Sequence, residues 1–255
     1  MKKAFVVDLD NDLDNIDSGS QKNKETLFNY HTIQGNQNKI KYDCNDNQAI
    51  PNIPEVADKI RTLIQKSLKN NEDILLKRNE IKEAFFNPLQ ERLSKTKIFL
   101  SHSHIDMKND SCLGVKTIKS YLESTNYPNS VFIDSLFWDY KDDVLKEMAK
   151  YSDVSGIKDA FTLILRESLQ DMIMKCPYFV FIKSSNSISH QGNSHITYSA
   201  WIYEELQIAH SLSKDNLTFS MENFKIEHDV SPLWKKFDSI TLSDLSDQIN
   251  LQGQA

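Results

Sequence analysis

Three short apolar runs constrain this chain most: Ile98-Phe99-Leu100, Ser130 to Ile133 and Tyr178-Phe179-Val180-Phe181-Ile182. A run of that kind reads as a strand with no wet face, and such strands need cover on both sides. Helical periodicity lies between the runs, at Val115 to Leu122 and at Ala160 to Met174. Strands alternating with helices indicate βα units and a parallel sheet. Beyond the third run come a helix carrying Trp201 and Glu205, a weak strand at Leu217 to Ser220, a short helix near Leu233 and a last strand at Ile240-Thr241-Leu242. Four or five short strands in this space predict an α/β fold, a flavodoxin-like doubly wound parallel sheet over residues 95–255.

Residues 1–94 read as a small, mainly helical N-terminal extension. Lys3 to Leu9 is a possible strand, and the Asn/Asp/Ser-rich stretch from Asp10 to Asn47 reads as a polar loop. Pro51 and Pro54 open a helix with Val56, Ile60, Leu63, Ile64 and Leu68 on one face. A second helix follows from about Asp73 to Phe86. The pair is expected to pack on itself, on the sheet domain or on a second subunit, as an oligomerisation or sensor-coupling element.

Composition removes several function classes. Apolar residues make up 39% and charged residues 26%, as in a soluble globular protein. A formal charge of −6 with scattered lysines and arginines supplies no field for a phosphate backbone, so no nucleic-acid partner is expected. Nothing approaches the roughly eighteen apolar residues of a membrane span. The apolar start to Val7 is ended at once by Asp8, Asp10 and Asp12, which is too short and too acidic for a signal peptide. Cys44, Cys112 and Cys176 are odd in number and lack CxxC spacing, consistent with reduced thiols and a cytoplasmic location. The six glycines form no GxGxxG or Walker-type loop.

Glu205 is the candidate that periodicity singles out. On a helix, Tyr198, Trp201, Ile202, Glu205, Leu206, Ala209 and Leu212 form one apolar stripe, and Glu205 lies within it. Glu204 is rotated about 100° off its axis. A carboxylate on a buried stripe is either a rim residue that reaches water or a lysine, or a group held in a pocket for chemistry. A second candidate is Ser101-His102-Ser103-His104-Ile105-Asp106, at the expected carboxyl edge of the first core strand. If the segment is extended, His102 and His104 point the same way, and with Asp106 they form the ligand set of a metal-dependent hydrolase. That run is similar to the one in metallo-β-lactamases, but Met107 stands where another histidine belongs, and alternating βα units do not fit that fold.

Four segments, in order, resemble bacterial Toll/interleukin-1 receptor (TIR) domains. Lys97 to Asp106 resembles the opening strand and loop, Val131-Phe132-Ile133-Asp134 the second strand and the start of the BB loop, and Tyr178 to Ser184 the third strand. Ser199-Ala200-Trp201-Ile202-Tyr203-Glu204-Glu205-Leu206 is similar to the family's Ser-x-Trp-x-x-x-Glu-Leu helix. The resemblance implies a TIR domain that cleaves the nicotinamide–ribose bond of NAD, with Glu205 catalytic and NAD a substrate rather than a bound cofactor. Trp201 would wall the pocket, Phe99, Ser101 and His102 would line its other side, and Asp134 would sit at its mouth. It further implies assembly through TIR–TIR contacts, as in the TIR component of Thoeris-like antiphage systems, whose nucleotide product a separate effector reads. A non-catalytic adaptor acting by assembly alone is the alternative. One departure stands out: Trp138 to Asp143 replaces the Pro/Gly-containing BB loop.

Overall fold

The computed structural model describes residues 3–9, 18–36, 53–70, 77–86, 94–108, 113–125, 130–150, 155–191, 194–209, 228–234 and 237–252. Its centre is a five-stranded, all-parallel sheet built from β1 (Lys3–Asp8), β2 (Ile98–Ser101), β3 (Val131–Ile133), β4 (Tyr178–Lys183) and β8 (Asp238–Ser239). The order across the sheet is β3-β2-β4-β1-β8. β5 (Ser189–Gln191), β6 (Ser194–Thr197) and β7 (His228–Asp229) form a small antiparallel sheet.

Side-chain alternation along the parallel strands divides the core in two. Phe5, Val7, Ile98, Leu100, Val131, Ile133, Tyr178, Val180 and Ile182 face one side. There they meet α1 (Ser18–Asn36), α5 (Val115–Thr125) and α10 (Leu242–Gln252) through Leu27, Ile118, Leu122, Leu245 and Ile249. Val6, Phe99, Phe132, Phe179 and Phe181 face the other side. They are covered by α2 (Ile53–Asn70), α3 (Arg78–Phe86), α6 (Asp134–Ala149), α7 (Ser155–Lys175) and α8 (Ala200–Ala209). Phe99 lies in register with Phe132 and Phe179, its ring centroid 5.5 and 5.7 Å from theirs, so one aromatic row crosses three strands. This is an α/β architecture compatible with a flavodoxin-like fold.

The N-terminal strand corrects the expected boundary at residue 94. β1 is not part of an extension: it lies inside the sheet, with Phe5 opposite Val180 on one side and Asp238 on the other. The reason is its sequence, which is apolar towards both faces (Phe5 and Val7, then Val6) and can be buried only between two neighbours. β2, β3 and β4 alone give the order 2-1-3, the first three places of the flavodoxin-like arrangement. The fourth place is taken by β1 and the fifth by β8. β8 is short, polar and exposed, as suits an edge.

Asn23 ties the N-terminal helix to the sheet end. Its Nδ2 donates to the carbonyl of Asp8 at 3.0 Å, and its Oδ1 accepts from the backbone N–H of Leu242 at 2.8 Å. α1 itself falls where a polar loop is expected. Many of its polar residues face outwards, while Ser20, Asn23 and Leu27 are buried and the Tyr30 hydroxyl donates to the Ser120 carbonyl at 3.2 Å. α2 forms where Pro54 predicts it, proline being tolerated in a first turn, and Val56, Ala57 and Ile60 are buried.

Other expectations shift. The last strand runs over Asp238–Ser239 rather than Ile240 to Leu242, because Leu242 starts α10 with its N–H held by Asn23. The weak strand expected at Leu217 to Ser220 lies outside the described residues, as do Cys44 and Cys112; Cys176 is a buried free thiol. Among the described residues no helix is long and apolar enough to cross a membrane.

Two measurements check this arrangement. A chain beginning at Ser94 loses a central strand, so we expect no cooperative thermal unfolding by circular dichroism; a truncated protein that melts cooperatively would contradict the placement of β1. Phe99→Ala empties the middle of the aromatic row and should lower unfolding free energy by about 3–5 kcal/mol in denaturant titration.

Candidate functional site

Polar groups gather where the strands end. In β2, Phe99 and Ser101 project to the same face two residues apart, so Ser101 emerges just past the aromatic row, beneath α8. α8 starts at a serine cap: Ser199 Oγ accepts the N–H of Ile202 at 3.3 Å. Ile202 and Leu206 pack into the core and fix the helix rotation. That rotation directs Glu205 at β2, where Ser101 Oγ donates to Glu205 Oε2 at 2.5 Å. Glu205 is 2% exposed and Ser101 is fully buried. The rim reading of Glu205 therefore does not apply.

Glu204 is also buried, although it lies off the stripe, because α7 covers that side of α8. Arg166 of α7 donates from Nε to Glu204 Oε1. Burial pushes the Glu204 carboxyl above its ordinary value of 4.5, and the Arg166 charge and hydrogen bond pull it part of the way back. Adjacent glutamates thus have opposite roles: Glu204 anchors α8 to α7, while Glu205 reaches the sheet.

A cavity of about 250 Å³ opens here, lined by His102, His104, Ser135, Ser199, Trp201, Ile202 and Glu205. It sits beyond the carboxyl ends of β2 and β3, beneath α8, on the edge of the sheet at which ligands bind in open α/β folds. Trp201 is half-buried and forms part of the wall. His102 follows β2 and is 5% exposed. Its Nδ1 is 3.3 Å from the Leu100 carbonyl and its Nε2 is 3.0 Å from Ser135 Oγ. A carbonyl can only accept, so Nδ1 carries the proton; Nε2 then accepts from the Ser135 hydroxyl.

Several expected positions take other roles. Phe99 is fully buried in the aromatic row and does not line the cavity; being two residues before the strand end, it cannot reach past Ser101. Ser101 stands behind Glu205 and holds it, rather than lining the cavity. Asp134 is the first residue of α6, and its side chain lies outside the described residues. Residues 134–149 are helical, so Trp138 to Asp143 form a helix rather than a loop. Ser135, which no sequence motif marked, supplies the cavity group from that element; its position just after a strand end was the available signal.

The metal reading fails on geometry. His104 to Lys108 form a short helix, α4, and not an extended segment, so His104 and Asp106 are about 200° apart around its axis. Asp106 accepts from Ser184 Oγ and from Asn186 Nδ2, both at 2.6 Å, which pins α4 to the turn after β4. Among the described residues no group of three His, Cys, Asp or Glu side chains is placed to hold a metal ion.

No protein-family model matches the chain, and neither does any curated protein or solved structure.

The Glu204 environment has a pH signature. A carboxyl raised in the folded state binds its proton more tightly there than when unfolded, so its contribution to stability falls as pH rises through the interval above 4.5. Glu204→Gln removes that term. Its melting temperature relative to the parent should therefore rise between acidic and neutral pH, and a difference independent of pH would count against the assignment.

Proposed function

We propose that the protein is a TIR-type enzyme that cleaves the nicotinamide–ribose bond of NAD, with Glu205 as its catalytic carboxylate. The observation that carries this reading is Glu205 itself, 2% exposed, held by Ser101 at 2.5 Å and lining a cavity beyond the carboxyl ends of β2 and β3. Periodicity and the family motif single out the same residue independently.

The chemistry suits a single carboxylate. As the C1′–N bond lengthens, positive charge moves onto the ribose, as at the transition state of a glycosidase. A carboxylate already desolvated and oriented stabilises that charge without reorganisation. The pyridinium leaves as neutral nicotinamide, so no acid is needed to protonate it. The volume of about 250 Å³ lies just below the range usual for ligand pockets, about 300–1,000 Å³, and suits the nicotinamide–ribose end with the adenine half lying outside. Trp201 offers an aromatic wall to that end.

In this reading the protein is a cytoplasmic enzyme of bacterial antiphage defence, assembling through contacts between its own copies. Its product, ADP-ribose or a cyclic isomer, acts on a separate effector. An adaptor working by assembly alone has no use for a carboxylate kept from water at a cavity. α6 takes the place of the BB loop, so access to the cavity would be governed by the start of that helix.

Incubating the full chain with NAD and following nicotinamide by mass spectrometry is the direct test. Turnover is expected in the parent, with a loss of about 100-fold or more in Glu205→Gln. No nicotinamide release from the parent, or equal release from the variant, would sink the reading.

A further inference from the structure

The cavity holds a second polar pair that cleavage of the C1′–N bond does not need. His102 and Ser135 are each 5% exposed, come from different strand ends and meet at 3.0 Å on the cavity wall. The hydrogen-bond directions follow from chemistry. The Leu100 carbonyl takes the Nδ1 proton, so the Ser135 hydroxyl donates to Nε2, and the lone pairs of Oγ remain to accept from a group in the cavity. A hydroxyl polarised by an imidazole, whose other nitrogen is fixed by an acceptor, is the arrangement that activates oxygen nucleophiles.

We propose that Ser135 and His102 form a proton relay for the water that captures the ribosyl carbon. This inference rests on the reading of Glu205 as the group that stabilises the ribosyl cation. The C1′–N bond breaks with its electron pair passing to nicotinamide. The water oxygen then bonds to C1′. One water proton moves to Ser135 Oγ while the Ser135 hydroxyl proton moves to His102 Nε2. The products are neutral nicotinamide, the hydrolysed ribose and an imidazolium that returns its proton to solvent. Glu205 serves bond breaking and the relay serves capture, so the two functions are separable.

A nucleophile that carries no proton to lose separates them. A pyridine nitrogen can capture C1′ without a base, giving an exchanged dinucleotide, whereas water cannot be captured efficiently without one. The full chain is incubated with NAD, with and without 3-acetylpyridine, and ADP-ribose and the exchanged dinucleotide are quantified by mass spectrometry. In Ser135→Ala and His102→Gln, hydrolysis should fall about 100-fold while exchange stays within about threefold of the parent. Retained exchange also reports that the fold and the Glu205 site are intact. If both reactions fall together, or neither falls, the relay is overturned while the NAD reading stands. If the parent forms neither product, the NAD reading is overturned and the relay with it.

Discussion

Burial of the sheet on both faces governs where chemistry can occur in this molecule. Ile98, Phe99, Leu100, Phe132, Phe179 and Val180 are all fully or almost fully buried, and the midpoints of β1, β2, β3 and β4 carry apolar side chains alone. Polar groups are therefore confined to strand ends. Ser101 and His102 follow Leu100, Asp8 and Lys183 close β1 and β4 with an ion pair at 2.6 Å, and Ser135 follows β3 by two residues. A residue-by-residue alternation that would normally place polar atoms on a wet face instead delivers one serine to the underside of α8.

α8 shows how packing turns a short helix into a positioning device. Its start is capped by Ser199, its apolar face enters the aromatic side of the core, and its flank is tied to α7 through Glu204 and Arg166. Three constraints on ten residues leave little freedom in rotation or translation. Glu205 is consequently held against Ser101 by the packing of the helix that carries it. Pre-set orientation of this kind is what electrostatic stabilisation of a developing charge requires. The Glu204–Arg166 pair contributes to this by specifying register rather than by adding much stability, since the desolvation of buried ions offsets most of their attraction.

The same logic appears on the opposite face. Lys119 is 2% exposed, and its ammonium donates to Glu123 Oε1 at 2.5 Å and to the Val131 carbonyl at 3.3 Å. Glu123 Oε1 accepts the N–H of Val131 at 3.1 Å, so one buried pair satisfies the start of β3 and sets α5 against it. Asn23 does the corresponding work between β1, α1 and α10. Buried polar side chains thus act as joints between elements, while the aromatic and aliphatic layers supply the cohesion.

What was legible in the residues was whatever depends on local pattern. The apolar runs at 98–100, 130–133 and 178–182 identified three strands and their buried character, and the stripe through Trp201 and Glu205 identified a carboxylate that turns inwards. Other features depended on neighbours that local pattern does not contain. α1 is polar along most of its length and became a helix through Leu27, Asn23 and Tyr30, each satisfied by a partner far away in the chain. β1 has the composition of a central strand, but its place between β4 and β8 is a matter of long-range pairing. The burial of Glu204 and the meeting of His102 with Ser135 likewise required α7 and α6 to be in position. Periodicity reports which side of an element turns inwards; which residues it meets there is decided only when the layers close.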